Sequence, residues 1–137
     1  MTKLLHFIKI EQIQASGLSG LVIIPNASCK LPVSVNFCEI ENIRGLIGAK
    51  VEDEEQHGQK VYTTTVTFQT EEKSPGDRFR LAYRLTSVDG TQFLVGTDSR
   101  PFPIIKENNP FPEKPGDSVL KTVTITWKAP IPMLTIL

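Results

Sequence analysis

Cysteine is scarce in this chain: Cys29 and Cys38 are the only two among 137 residues. Two thiols make no disulfide scaffold, and they have no metal-site partners at ligand spacing. They are either reduced and packed, which is the preferred reading, or bridged to each other. Net charge is also absent, with 15 basic and 15 acidic residues. That balance excludes long-range attraction to nucleic acid or to an anionic membrane and favours self-association. No run approaches the ~20 apolar residues of a membrane-spanning helix. Near the start, Lys3 and Leu4-Leu5 are followed too soon by His6, Lys9 and Glu11 for a secretory leader. The expectation is therefore cytoplasmic synthesis without a signal peptide, with a virion as the one particle that would carry the protein out.

Catalytic and ligand-binding motifs are missing as well. Gly17-Leu18-Ser19-Gly20 lacks the lysine and the glycine spacing of a phosphate loop. His6 and His57 sit in no recognisable nucleophile–base signature. Glu52-Asp53-Glu54-Glu55-Gln56-His57 gathers carboxylates that suit a hard cation, but the spacing fits no ion-binding loop and reads as solvated acidic surface. Asn26-Ala27-Ser28 matches a glycosylation acceptor only by chance if the chain is not exported. No cofactor and no metal are expected, and no catalytic residue is assigned.

What the chain does have is period-two alternation. Tyr62, Thr64, Val66 and Phe68 alternate with Val61, Thr63, Thr65 and Thr67, and after a turn at Ser74-Pro75-Gly76-Asp77 the residues Phe79, Leu81, Tyr83 and Leu85 alternate with Arg78, Arg80, Ala82 and Arg84. Asp89-Gly90 then leads into Gln92–Val95. These read as three strands of an antiparallel meander. Matching apolar faces places Phe79 opposite Phe68 and Leu81 opposite Val66. In the second hairpin a two-residue loop would pair Leu85 with Leu94. A three-residue loop with Gly90 left-handed pairs Leu85 with Phe93 and Tyr83 with Val95, and it is preferred because a one-residue slip turns large apolar groups to the wrong face.

The remaining segments are shorter. β-Branched content favours a strand over residues 4 to 14, with a short amphipathic helix as the alternative. Leu21–Ile24 reads as a strand stopped by Pro25, and Val33, Val35 and Phe37 alternate as in another. Ile40, Ile43, Leu46 and Ile47 have helical spacing over 39–48, but Gly45 and Gly48 weaken a helix by about 1 kcal/mol each, leaving a short helix or a bent strand. Residues 52–59 read as an exposed loop. The prolines at 101, 103 and 110 break regular pairing and mark two extended connections. Val119, Lys121, Val123, Ile125 and Trp127 form a strong last strand, and the apolar tail Met133–Leu137 is either tucked into the core or covered by a partner. About seven antiparallel strands in a single domain spanning 1–137 predict an all-β sandwich, Ig-like or small and barrel-like. The Cys–Trp–Cys order of a true immunoglobulin domain is absent.

Two surfaces are candidates for contacts. Arg78, Arg80 and Arg84 project from one face of a strand and suit phosphate or an acidic partner; without interleaved aromatics they do not suit nucleic acid. Thr63, Thr65 and Thr67 line one strand, and Thr122, Thr124 and Thr126 another. Solvated sheet faces usually carry Lys and Glu, so uncharged β-branched faces fit a neighbouring protein, although threonine also simply favours strands. With Leu134, Ile136 and Leu137 in the tail, these residues predict a non-enzymatic protein that works through protein contacts, as a homo-oligomer or a subunit of a larger assembly. Residues 80–97, Arg-Leu-Ala-Tyr-Arg-Leu-Thr-Ser-Val-Asp-Gly-Thr-Gln-Phe-Leu-Val-Gly-Thr, and the closing Thr-Ile-Thr-Trp-Lys-Ala-Pro130 resemble small β-rich structural proteins of tailed-phage and prophage modules. The resemblance covers the second half of the chain. It implies a connector or tail component and carries no functional residues over. The alternatives are a carbohydrate- or surface-binding sandwich using Tyr62, Tyr83 and Trp127 as stacking groups, and a small β-barrel enzyme, which requires a polar-lined pocket.

Overall fold

The computed structural model describes residues 3–25, 28–33, 35–40, 43–70, 80–108 and 121–137. Its elements are β1 (Lys3–Gln14), a 3-10 turn (Ala15–Leu18), β2 (Val22–Ile24), β3 (Ser28–Lys30), β4 (Cys38–Glu39), β5 (Ile43–Gln56), β6 (Gln59–Thr70), β7 (Leu81–Ser87), β8 (Gln92–Val95), β9 (Ile104–Asn108), β10 (Lys121–Ala129) and β11 (Leu134–Ile136). All eleven strands belong to one sheet, ordered β2-β3-β11-β8-β7-β1-β5-β6-β10-β9, with β4 joined to β1 off that path. The architecture is all-β and sandwich-like. It has more strands than the alternation in the sequence predicts, and β3 and β11 run parallel.

Strand β1 is the hub. Its first half pairs with β5 and its second half with β7, and Glu11 and Gln12 also meet β4. A bulge falls between Phe7 and Lys9. The extra residue resets the alternation, so Phe7 and Ile10 both enter the same buried cluster while Ile8 is left 57% exposed. The bulge accounts for the three-residue spacing of Phe7 and Ile10 on one face, which mimics a helix, while Ile13 follows in regular alternation on the other.

The buried residues fall into two clusters on opposite faces of the β1–β7–β8 region. Tyr83, Leu85 and Val95 join Phe7, Ile10, Ile47, Val66, Ile125 and Trp127 in the first. Ala82 and Leu94, which alternate with them, join Ile13, Leu18, Cys29 and Leu134 in the second. Strand β7 is therefore covered on both sides, unlike the one-sided strand that its alternation predicts. Leu31, Val35 and Phe37 supply part of the second cover. The described residues of the strand expected through Val33, Val35 and Phe37 are not in regular pairing. Val33 projects fully into solvent, and pairing begins only at Cys38.

The expected meander is corrected at its first turn. Strand β6 lies between β5 and β10, away from β7. Phe68 faces Val123, Val66 faces Ile125 and Thr64 faces Trp127. Leu81 instead lies opposite Gln14 of β1. Phe79, Arg78 and the turn at 74–77 lie outside the described residues. Two alternating strands carry no label for their neighbours, and β10 offers β6 an equally apolar inner face. The second hairpin forms as predicted, with Tyr83 opposite Val95, Leu85 opposite Phe93, and Gly90 at φ +93°.

No helix forms among the described residues of 39–48. Gly45 takes φ +79° within an irregularity between Arg44 and Gly48, and the segment continues as the bent start of β5. Residues 52–56, four of them acidic, continue that strand rather than forming a loop. They pair with residues 59–63 across a turn at His57-Gly58, where φ is +53° and +78°.

Candidate functional site

The threonines come together. Strands β6 and β10 are neighbours, and their register puts Thr65 opposite Thr126, Thr67 opposite Thr124 and Thr63 opposite Lys128. Because Val66, Phe68, Val123, Ile125 and Trp127 point inward, Thr63, Thr65, Thr67, Thr122, Thr124 and Thr126 share the outward face. The sequence shows two separate rows, and the fold makes them one uncharged patch. Its margins are set by Lys50 and Glu52 of β5, which are ion-paired at 2.5 Å, by exposed Lys106 and Ile104 of β9, and by Lys128. The patch thus has no charge at its centre and charged residues along its margins, the Lys50–Glu52 pair on one side and Lys106 and Lys128 on the other.

Of the three arginines, Arg78 lies outside the described residues, and Arg80 and Arg84 do not form a common surface. Arg84 is mostly withdrawn from solvent, and its Nε and Nη2 donate to Glu11 Oε1 and Oε2 at 2.9 and 2.6 Å. Its guanidinium also stacks 4.2 Å from the ring centre of Phe37. Register places Glu11 directly opposite Arg84, on the second-cluster face of the sheet. Glu11 is 6% exposed, with the Lys9 ammonium 3.9 Å away. Arg84 is therefore a structural ion-pair partner instead of an outward anion ligand. The signal in the sequence is that Glu11 is the lone acid of a strand that mixes apolar and basic residues. Arg80 precedes β7 with φ +40° and lies over Phe102 at 5.6 Å, exposed and out of line with Arg84.

The tail is tucked in. Strand β11 pairs with β8 and β3, Leu134 is fully buried and Met133 is 7% exposed. Ile136 is half-buried, which leaves Leu137 as the exposed apolar end, its N–H donating to the Cys29 carbonyl at 3.0 Å. Leu134 is thus a core residue and not a partner contact.

Two stacking groups of the sugar-binding alternative are also in the interior. Trp127 is 1% exposed, with Nε1 donating to the Pro101 carbonyl at 3.0 Å, and Tyr83 is 1% exposed. Burial raises the Tyr83 phenol above its ordinary range, and the nearby Glu107 carboxylate adds to the effect. Neither ring has a face free for a ligand.

An open concavity of about 390 Å³ lies beside the β7–β8 turn, floored by Phe7 and Phe93, whose rings meet edge to face at 5.6 Å. Its acid, Asp89, accepts from the Ser87 hydroxyl and from the Thr91 N–H at 3.0 Å. Those bonds hold the carboxyl down at about 2 and fix the turn. A carboxylate so engaged is a turn cap rather than a proton acceptor. A second hollow of about 280 Å³ is lined by Gln14, Ser16, Arg80, Asp98 and Phe102. Among the described residues no group of three or more His, Cys, Asp or Glu side chains is placed to hold a metal ion, and no helix is long and apolar enough to cross a membrane. Cys29 and Cys38 are both free thiols, the first buried and the second exposed.

No family model, curated protein or solved structure matches the chain.

Proposed function

We propose that this protein is a non-enzymatic structural component of an assembly, acting through protein–protein contacts, with a phage or prophage connector or tail module as the setting that its second half resembles. The observation that carries the reading is the single threonine patch built by β6 and β10. A solvated two-strand face of this length ordinarily carries charges that discourage association. Here six threonines present methyl and hydroxyl groups with little side-chain entropy to lose on contact. The apolar and polar halves of each side chain suit a packed, partly hydrogen-bonded interface.

The test is light scattering over a range of concentrations, comparing the intact chain with the double variant Thr65→Lys/Thr124→Lys. Both sites face outward on paired strands, so the variant should keep the fold, checked by circular dichroism. The expected result is a mass above the monomer for the intact chain and a lower mass for the variant at equal concentration. Equal masses for the two proteins would remove the threonine patch as the contact.

A further inference from the structure

The two ends of the sheet are protected very differently. Strand β9 closes one end with Lys106 exposed on its outer side, the carboxylate Glu107 facing inward, and Pro103 just before it. Lysine and an inward charge are recognised devices against strand addition, whereas a flanking proline is common to both ends, Pro103 here and Pro25 after β2. Strand β2 closes the other end as Val22-Ile23-Ile24, without a charge. Its only described strand partner is β3. Successive side chains of a strand point to opposite faces. Yet Val22 is 54% exposed and Ile23 49%, so this strand is open on both faces as well as along its edge. Three consecutive β-branched residues so placed form a short template for an added strand.

We infer that the β2 edge pairs with the β2 edge of a second copy of this chain, antiparallel about a two-fold axis through Ile23, so that the sheet continues from one subunit into the next. The inference rests on the assembly reading above but uses a different surface. The chemistry of the strand selects the occupant. A two-fold contact sets each patch against itself, so any charge on it would meet its own like, and β2 has none. The pairing places Ile23 opposite the partner's Ile23, and Val22 opposite the partner's Ile24, all β-branched cross-strand pairs. The same operation at β9 would put Lys106 and Glu107 at the seam. A zero net charge leaves no long-range repulsion between copies.

The self-paired position provides the test. Sedimentation equilibrium is run on full-length protein carrying Thr65→Lys/Thr124→Lys, so that the threonine patch is silenced and the β2 contact is isolated. This protein should be a reversible dimer. Adding Ile23→Lys, or separately Ile23→Glu, sets like charges opposite each other and should weaken dimerisation about tenfold or more. Mixing the Lys and Glu forms should restore a dimer, which only folded subunits can do. Ile104→Lys at the β9 edge should leave dimerisation unchanged. A monomer before Ile23 is altered, undiminished dimerisation of either charged form, or no restoration on mixing would each overturn the β2 contact. Those outcomes leave the threonine patch to be judged by its own comparison.

Discussion

At the scale of single residues, the pair most exposed to test is Glu11–Arg84. Removing one member of a buried ion pair strands the other in a poorly solvated site. Arg84→Ala leaves the Glu11 carboxylate, among the described residues, with only the more distant Lys9 ammonium, and the expected cost is about 2–3 kcal/mol of stability. The double variant Glu11→Leu/Arg84→Met should recover most of that, because two apolar groups of similar size leave nothing unpaired. Urea unfolding of the three proteins measures both differences. If Arg84→Ala were neutral, the pair would not be holding Phe37 on the sheet. A second residue-scale prediction concerns Cys29, whose thiol burial pushes up to about 11 from 9.0. The unfolded chain releases that proton first as pH rises. The stability due to Cys29 is therefore complete below pH 9 and is lost as pH rises toward 11. Unfolding midpoints measured between neutral and alkaline pH should fall less steeply for Cys29→Ala than for the native chain. In the native protein a thiol reagent should modify Cys38 alone, and both thiols only after denaturation.

Among the elements, the β7–β8 hairpin is the part that the sequence specifies most tightly. Its loop, register and glycine are all legible, because a wrong register would turn Phe93 and Val95 away from Tyr83 and Leu85. Gly90→Ala meets no side chain but must hold φ +93°, so a loss of about 1–2 kcal/mol is expected from thermal or urea melts. A neutral result would mean that the turn relaxes to another type. The neighbours of β6 were not legible, since alternation identifies a strand and its inner face but not its partner. That face is nevertheless the correct one, so the threonines do point outward. Single short strands such as β3, β4, β9 and β11 are invisible to periodicity: two to five residues are too few to show a period. Arg84 illustrates a different gap. Its alternation marks it as outward, which is true of the first cluster, but Leu31, Val35 and the Phe37 ring cover that side too. Coverage by an irregular segment leaves no pattern in the strand that it covers.

For the whole molecule, the sheet has one guarded end, one open end and an uncharged patch on its outer side. The two proposed contacts use these features and differ in what breaks them. Charge on the threonine patch should act at Thr65 and Thr124, and charge on the edge at Ile23. Both contacts are apolar or neutral, so moderate salt should change association little, in contrast to an interface of ion pairs. The most direct measurement is the molar mass of the intact, unaltered chain by light scattering as concentration is raised. Assembly through these surfaces predicts a mass above the monomer that grows with concentration and persists in salt. A mass fixed at that of one chain throughout would contradict it.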